Sequence, residues 1–389
     1  MRLTKTCSAI LFAICGLGIS AGANAASSNI GDTNVTFSGY IKADAIFSDY
    51  SDGSLAAGNL GRDFYIPSLT PVGGNAESTQ FDAHIRQSRF RFTTTTPKEE
   101  GDSITGVLEF DMLVTPGGNE RVSNSYLPRM RHAFIKYKGF TVGQTWSTFM
   151  DVGALPEAVD FIGNADGTIF SRQALLRYTT GSWEFAVENP ETTITPFGGG
   201  GRIVGDDSAI PDFIARYTHK ADWGYIKLAG LARQLAYNNG VDIDTTESSY
   251  GISLNSKISV GEQNDIRISI NSGVGLGRYS ALNAATGGVL NAQGEIETID
   301  SSAFSVAYRH VWNKQFRSNF IYAAFSADNN AALTGQSVTA ETQSARVNLM
   351  YQPTAKITIG GEYTFAKREI ESGADGDMNR MQFSMKYAF

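Results

Sequence analysis

The chain ends in the stretch Met381-Gln382-Phe383-Ser384-Met385-Lys386-Tyr387-Ala388-Phe389, in which a large apolar residue stands at every second position. Because neighbouring residues of a β-strand point to opposite faces, this alternation predicts one wholly apolar face and one mostly polar face. A soluble protein that ended on such a strand would expose an edge prone to aggregation, whereas contact with lipid suits an apolar face. The stretch therefore predicts the closing strand of a transmembrane β-barrel.

The first residues have the pattern of a secretory signal peptide. Two basic residues precede an apolar run from Ile10 to Ile19, and Ala23-Asn24-Ala25 supplies the small residues of a cleavage site. We expect residues 1–25 to be removed and residues 26–389 to form a single transmembrane barrel domain. Both cysteines of the chain lie in the part that is removed, so the mature protein is expected to have no thiol.

Composition and charge limit the class of protein. The chain has 32 Lys and Arg against 39 Asp and Glu, a net charge of −7, which argues against a nucleic-acid partner because such a partner needs a basic face. After the signal peptide, no segment approaches the roughly 18 unbroken apolar residues of a membrane helix. In a barrel strand only every second residue contacts lipid, so the average hydropathy of the strand does not reveal that it spans a membrane. The 41 glycines fit many turns, and the 11% aromatic residues fit two aromatic girdles.

Sixteen alternating segments follow one another along the chain, joined in turn by short turns and long polar connections. Their predicted ranges are 35–47, 84–95, 103–115, 129–137, 140–146, 173–179, 183–189, 213–219, 225–233, 250–258, 266–274, 303–310, 316–325, 343–351, 357–367 and 381–389. The pattern predicts an all-β, antiparallel, up-and-down transmembrane barrel of about sixteen strands, with short periplasmic turns and long extracellular loops. The alternative is a soluble sandwich of two sheets, which would rarely need so many strands in one register.

The polar face of these strands carries more bases than acids. A barrel of this width is too wide for its side chains to fill, so the inward face is expected to line water. Guanidinium groups stay charged and match carboxylates and phosphates, which predicts an anion preference. The predicted pore-lining basic residues are Arg89, Arg91, Arg177, Arg216, Arg267, Arg309, Arg317 and Arg346. The alternative is that the wall charges only solvate a channel and balance one another.

The connection from Thr148 to Arg172 differs from the other long loops because it mixes acids with large apolar residues. The acids are Asp151, Glu157, Asp160 and Asp166, and the apolar residues are Phe149, Leu155, Phe161, Ile162 and Phe170. This mixture predicts a constriction loop that folds into the barrel and sets its acids across the pore from the arginines. The alternative is a loop that reaches outward or latches a neighbouring subunit.

Two internal stretches resemble a known family, the trimeric outer-membrane porins and, more narrowly, the DcaP-like subfamily. These stretches are His84-Ile85-Arg86-Gln87-Ser88-Arg89-Phe90-Arg91-Phe92 and Val142-Gly143-Gln144-Thr145-Trp146-Ser147-Thr148-Phe149-Met150-Asp151. The resemblance implies sixteen strands, a homotrimer with three separate pores, and passage of small anions including dicarboxylates. It makes Arg89 and Arg91 wall residues and Asp151 the start of the constriction loop.

For three further arginines, the direction of the side chain has more than one explanation. Arg86, Arg129 and Arg131 share their strand phase with residues that are expected to face outward. Either a bulge reverses the phase of these strands, or the arginines lie near a subunit interface or the rim of the barrel.

The final aromatic residues resemble an assembly signal. Phe389 ends the closing strand two residues after Tyr387, which is similar to the signal by which the outer-membrane assembly machinery recognises bacterial barrels. We therefore expect the protein in the outer membrane of a Gram-negative bacterium, in contact with membrane lipid.

Other functions are less well supported by the residues. The four histidines lie on separate predicted strands, with no nucleophile motif beside them and no zinc-ligand spacing, so no catalytic residue, cofactor or metal is expected. A TonB-dependent receptor would need a plug domain and more strands, and a barrel adhesin would more often be small with a filled interior. The sequence predicts a porin for passive diffusion of small hydrophilic solutes that prefers anions such as dicarboxylates. The alternative is a general or weakly cation-selective diffusion porin.

Overall fold

The structure, a computed structural model, describes residues 25–76, 78–98, 101–115 and 123–389. Apart from Ala25, the predicted signal peptide lies outside the described residues. In the described part of the chain, no helix is long and apolar enough to cross a membrane.

Strands dominate the regular structure of these ranges. The strands are β1 Ala26–Ile30, β2 Thr33–Tyr50, β3 Gln80–His84, β4 Arg89–Pro97, β5 Ser103–Asp111, β6 Arg129–Tyr137, β7 Phe140–Trp146, β8 Arg172–Thr180, β9 Trp183–Glu188, β10 Thr192–Thr195, β11 Ile203–Gly205, β12 Asp212–Ala221, β13 Gly224–Asn238, β14 Asp244–Val260, β15 Asn264–Val274, β16 Gly288–Leu290, β17 Ile296–Thr298, β18 Asp300–Val311, β19 Phe316–Asp328, β20 Thr339–Thr354, β21 Ile357–Ile370 and β22 Asp375–Ala388. The α-helices are α1 Leu60–Asp63 and α2 Ala331–Thr334.

Eighteen of these strand segments form one closed antiparallel sheet. β22 pairs with β2, from Ala388 opposite Tyr40 to Met378 opposite Tyr50, and this pairing closes the barrel. β3 and β4 share the second strand position, and β1 is an added segment that folds back on the first residues of β2. The predicted sixteen-stranded up-and-down barrel is therefore confirmed.

The closing strand shows the alternation that its sequence predicts. Met381, Phe383, Met385 and Tyr387 are 39–50% exposed on the outer surface, whereas Gln382 is 1% exposed inside. The backbone N–H and C=O groups of Phe389 both bond to Gly39 at 3.1 Å, so the last residue is paired with the first strand. The role of Tyr387 and Phe389 in assembly stays a prediction.

The second strand position is interrupted, unlike the continuous strand predicted over 84–95. Residues 85–88 leave the ladder, and the Ser88 amide donates to the Ile85 carbonyl in a turn at 3.0 Å. The Ser88 hydroxyl accepts from the Lys42 amide at 3.1 Å and donates to the Lys42 carbonyl at 3.4 Å. A side chain therefore satisfies the backbone groups that a continuous strand would have paired.

A β-bulge decides the orientation of the arginines on β6. Glu109 lies opposite His132 but Phe110 lies opposite Met130, so Arg131 is an extra residue on its strand. Arg131 is fully buried, with Nε 2.8 Å from Glu109 and Nη1 2.8 Å from Asp111. Arg129 is 2.9 Å from the same Asp111. Both arginines thus face inward, and the alternative of a bulge is the right one.

Arg86 lies where the second strand position is interrupted, not in the regular ladder. Its guanidinium is 3.6 Å from Asp63 and stacks over the Tyr126 ring at 4.5 Å. Loop contacts, rather than a strand phase, therefore set the direction of this side chain.

The long loops fill the half of the lumen nearest to them, which we call the loop-filled half. The loop between β2 and β3 packs Phe64 and Tyr65 against Ile162 of the constriction loop and inward-facing Met378. Elsewhere, strands β10, β11, β16 and β17 form a four-stranded sheet within the loops. The expectation that the whole inward face lines water is wrong for this half, because folded loops rather than wall side chains occupy it.

Candidate functional site

The constriction loop, residues 147–171, lies inside the barrel between β7 and β8. Phe149, Leu155 and Ile162 are almost fully buried and pack in two apolar clusters with inward-facing strand residues. Two short 3₁₀ turns, Val152–Ala154 and Ala165–Gly167, bend the chain along the wall. Burial of large apolar side chains is the reason that the loop folds inward, and the predicted inward-folded loop is confirmed.

Three of the four predicted loop acids pair directly with cations of the wall. The pairs and their shortest nitrogen–oxygen distances are Asp151–Lys227 at 2.5 Å, Glu157–Arg317 at 2.5 Å and Asp160–Arg346 at 3.3 Å. The sequence predicts that these acids face the arginine wall and set a transverse field in the constriction. In the structure they instead fasten the loop to the wall through short contacts.

Other wall arginines bind the backbone of the loop and of the strand end before it. Their acceptors are the Trp146 carbonyl for Arg177 at 2.6 Å, the Met150 carbonyl for Arg216 at 2.7 Å, and the Leu155 carbonyl for Arg267. Guanidinium groups suit this role because their donors are arranged in a planar fork. These contacts set how far the loop stands from the wall and therefore the width of the constriction.

Arg346 differs from the other predicted pore-lining arginines because the loop closes over it. Its side chain has no exposed surface and lies 3.3 Å from Asp160 and 3.6 Å from Glu362. Burial by itself would raise the pKa of Asp160, but Arg346 and the backbone amide of Tyr65 hold that pKa below its ordinary value. Arg346 therefore anchors the loop instead of lining water.

Asp166, the fourth loop acid, is bound by hydroxyl groups. It accepts a hydrogen bond from Tyr65 Oη at 2.8 Å and another from the Ser344 hydroxyl. Burial raises the pKa of Asp166, and burial together with the neighbouring Asp166 raises the pKa of Tyr65 well above its ordinary value. This contact joins the loop after β2 to the constriction loop in a dry environment.

A basic chamber lies between the constriction loop and the short turns. It consists of a larger cavity of about 790 Å³ and a smaller one of about 200 Å³, which share Arg89, Val152 and Gly153 in their linings. The basic residues of the larger cavity are Lys42, Arg89, Lys257, Arg267, Arg309, Lys314, Arg317 and Lys386, against the acids Glu157 and Asp160. Those of the smaller cavity are Arg89, Arg91, Arg131, Lys136, Arg177, Arg216 and Lys227, against Glu109 and Asp151.

The wall carboxylates are too few to neutralise this chamber. One carboxylate, Asp265, lies 2.7 Å from Arg267, 3.3 Å from Arg309 and 3.7 Å from Lys257. Three cations therefore share one negative charge along one side of the larger cavity. This side of the larger cavity therefore carries an excess of positive charge.

The structure brings together most of the residues that the sequence singled out and adds others. Of the eight predicted pore-lining arginines, all except Arg346 border the basic chamber. Lys386 was missed, although the alternation of the closing strand places it on the polar, inward face and could have identified it. Tyr65 carried no signal, because its loop shows no periodicity. Within the described ranges, no group of three or more His, Cys, Asp or Glu side chains is placed to hold a metal.

Comparison with known proteins identifies the family. The model of the DcaP outer membrane protein family matches residues 20–389. The chain belongs to the DcaP outer membrane protein family. No curated protein matches this DcaP family member significantly.

Solved structures show the same fold. The DcaP outer membrane channel of Acinetobacter baumannii matches with a TM-score of 0.77 and 21% identity, over 92% of this chain and 97% of that one. OmpT of Vibrio cholerae matches with a TM-score of 0.56 and 11% identity, over 94% and 100%. The anion-selective porin of Comamonas acidovorans matches with a TM-score of 0.55 and 10% identity, over 92% and 100%. This DcaP family member is thus a protein of the Gram-negative outer membrane with the fold of the porins.

Proposed function

We propose that this porin prefers anions and lets small carboxylates, including dicarboxylates, diffuse passively through its basic chamber. The observation that carries the proposal is the lining of the larger cavity, where eight basic side chains face two acidic ones. Both of these acids already have a wall arginine as partner, Glu157 with Arg317 and Asp160 with Arg346. Asp44 beside Lys42 and Asp265 beside Arg267 add two negative charges, but the eight basic side chains still outnumber these four acids. We therefore expect a positive electrostatic potential in the cavity although the whole chain is acidic.

The physical basis is the concentration of counter-ions in a narrow charged space. Walls of low dielectric constant focus the field of the fixed charges and raise the local concentration of anions. Passage also requires each binding contact to be weak enough for release, and several shared cations provide successive weak sites. Arg89 borders both cavities, so an anion that moves from one cavity to the other passes this side chain.

Dicarboxylates suit the larger cavity because it offers cations on separate walls. Arg267 and Arg309 lie on β15 and β18, whereas Lys42 and Lys386 lie on the paired strands β2 and β22. A molecule with a carboxylate at each end can contact two such groups at once. The homotrimer implied by the family resemblance is also part of this proposal, with one chamber in each subunit.

The test is the reversal potential of the purified protein in a planar bilayer under a KCl gradient. We expect a chloride preference that falls in Arg89→Gln, because this change removes the charge shared by both cavities. The matched control is Arg202→Gln, which removes an exposed loop charge outside the chamber and should leave the preference unchanged. A cation preference in the wild-type protein would overturn the proposal in favour of a general or weakly cation-selective pore. Three equal conductance steps per insertion would support the trimer.

A further inference from the structure

The smaller cavity of the basic chamber has features of a binding site in its own right. Its volume of about 200 Å³ has room for roughly six water molecules at the density of liquid water. Seven basic side chains line it against two acidic ones, so its charge density exceeds that of the larger cavity. A cluster of this kind needs an explanation, because like charges that are brought together repel one another.

The two acids of the smaller cavity are already occupied. Glu109 lies 2.8 Å from Arg131, 3.4 Å from Arg89 and 3.6 Å from Arg91, so one carboxylate serves three guanidinium groups. Asp151 is paired with Lys227. Two further carboxylates contact the lining cations, Asp111 at 2.8 Å from Arg131 and Glu184 at 2.5 Å from Arg216 and 3.8 Å from Arg177. The seven basic side chains still outnumber these four carboxylates, which leaves an excess of positive charge.

Among the residues that line the smaller cavity, two buried guanidinium nitrogens have no hydrogen-bond partner. They are Nη2 of Arg131, whose side chain has no exposed surface, and Nε of Arg89, whose residue is 9% exposed. Both residues line the smaller cavity. Buried charged donors without an acceptor are costly, so these two groups add uncompensated positive charge beside the cavity.

We propose that the smaller cavity binds a compact divalent oxyanion of the inorganic phosphate type. A tetrahedral anion presents all its oxygens within a small sphere, which suits guanidinium groups gathered around a small space. An extended dicarboxylate instead needs cations that stand apart, as in the larger cavity. The inference rests on the proposed anion preference and assigns to this cavity an anion different from the proposed dicarboxylates. We expect a Kd on the order of 1 mM, because a channel must release what it binds.

The experiment is inhibition of the chloride current by inorganic phosphate in a planar bilayer, at constant ionic strength. Phosphate should reduce the current at lower concentration than succinate does. Arg91→Gln removes one charged contact at the smaller cavity and should raise the half-inhibiting phosphate concentration about tenfold. Arg309→Gln removes one charge that borders only the larger cavity and should change this concentration less than about twofold. Arg91 and Arg309 are matched, because each shares a single carboxylate with two or more other cations.

A second measurement does not depend on conduction. Trp146 lines the smaller cavity, whereas the other three tryptophans are 41–57% exposed on the outer surface. Phosphate should therefore change the tryptophan fluorescence of the detergent-solubilised protein, and Trp146→Phe should abolish that change.

The outcomes separate this site from the proposed function. A chloride-selective channel on which phosphate acts no more strongly than succinate would overturn the site and leave the anion preference intact. Equal effects of Arg91→Gln and Arg309→Gln would also overturn it, because the phosphate would then bind without regard to the smaller cavity. A wild-type channel that prefers potassium would instead overturn the proposed function.

Discussion

The two halves of the lumen use arginine in opposite ways. In the loop-filled half, Arg346 has no exposed side-chain surface and two carboxylates within 3.6 Å. In the basic chamber, the Arg309 side chain is 29% exposed and shares Asp265 with Lys257 and Arg267. Burial under the folded loops therefore distinguishes Arg346, which holds a loop in place, from Arg309, which stays accessible from the chamber.

The largest expected effect follows from the substitution Arg346→Met. Removing this cation leaves the buried carboxylates of Asp160 and Glu362 with neutral hydrogen-bond donors but without their paired cation, which should lower the free energy of unfolding by about 3–5 kcal/mol. The same substitution at Arg309 should cost less than about 1 kcal/mol, since water solvates the chamber. Urea unfolding of both variants in detergent micelles measures the difference. Similar losses of unfolding free energy in the two variants would show that Arg346 and Arg309 contribute equally to stability, against the proposed difference between the two halves.

A smaller effect is expected from Tyr65→Phe. The change removes the hydroxyl that donates to Asp166, so a buried acceptor loses one partner, at a cost of about 1–3 kcal/mol. The control is Tyr322→Phe, because Tyr322 Oη donates to the Gln343 side chain on the exposed outer surface. Urea unfolding should separate the two variants, and an unchanged Tyr65→Phe protein would mean that water replaces the hydroxyl and that this region is not dry.

Two acids of the constriction loop, Glu157 and Asp166, should change the stability in opposite directions as the pH falls. Burial would raise the pKa of Glu157, but Arg317 lowers it, so the stability from this pair is present above the ordinary pKa and is lost as pH falls through the lowered one. The pKa of Asp166 is raised by burial, so protonation of Asp166 favours the folded state as pH falls through that raised pKa.

Thermal unfolding between pH 6 and pH 3 measures these contributions. Compared with the wild-type protein, Glu157→Gln should lose less stability on acidification, and Asp166→Asn should lose more. Identical slopes in the three proteins would contradict the assignment of these two carboxyl groups.

The smallest effect is expected from salt. The screening length falls from about 10 Å at 0.1 M to about 3 Å at 1 M ionic strength, so the chloride preference should decline toward that of free solution. Buried pairs such as Arg346–Asp160 are screened much less, so the free energy of unfolding should change little over the same range. Reversal potentials and urea unfolding at both salt concentrations compare the two halves directly. A chloride preference that does not depend on salt would place the selectivity in contacts rather than in the field of the chamber.

The sequence predicted those parts of the fold that depend on contact with lipid. β6 and β7 begin and end at the predicted residues, because the two-residue turn Lys138-Gly139, with positive φ at both residues, separates them. The interruption at Ser88 was missed, since the hydroxyl that replaces a ladder bond acts on Lys42, which is 46 residues away. The extra residue at Arg131 was left as one of several alternatives, because a bulge leaves no mark in the alternation itself.

The candidate site was predicted only in part, because strand alternation carries no information about contacts with loops. Strand phase was enough to select the arginines of the chamber, such as Arg89 and Arg317. Strand phase could not distinguish Arg346 from these residues, because its burial depends on a loop that comes from a distant part of the chain. The bond between Tyr65 and Asp166 joins two irregular segments 101 residues apart, for which no periodic pattern exists.

The partners of the constriction loop have a consequence for the order in which the protein folds. The loop is synthesised after β7, but its anchors Arg317, Arg346 and Glu362 lie on β19, β20 and β21. Until the last strands, β21 and β22, are in place, Ile162 lacks Ala366 and Met378 of its apolar cluster. Docking of the loop should therefore be a late and slow step, because its contacts span long stretches of chain. In the interval before docking, the apolar side chains of the loop are exposed, which makes an immature barrel most prone to aggregation at this stage.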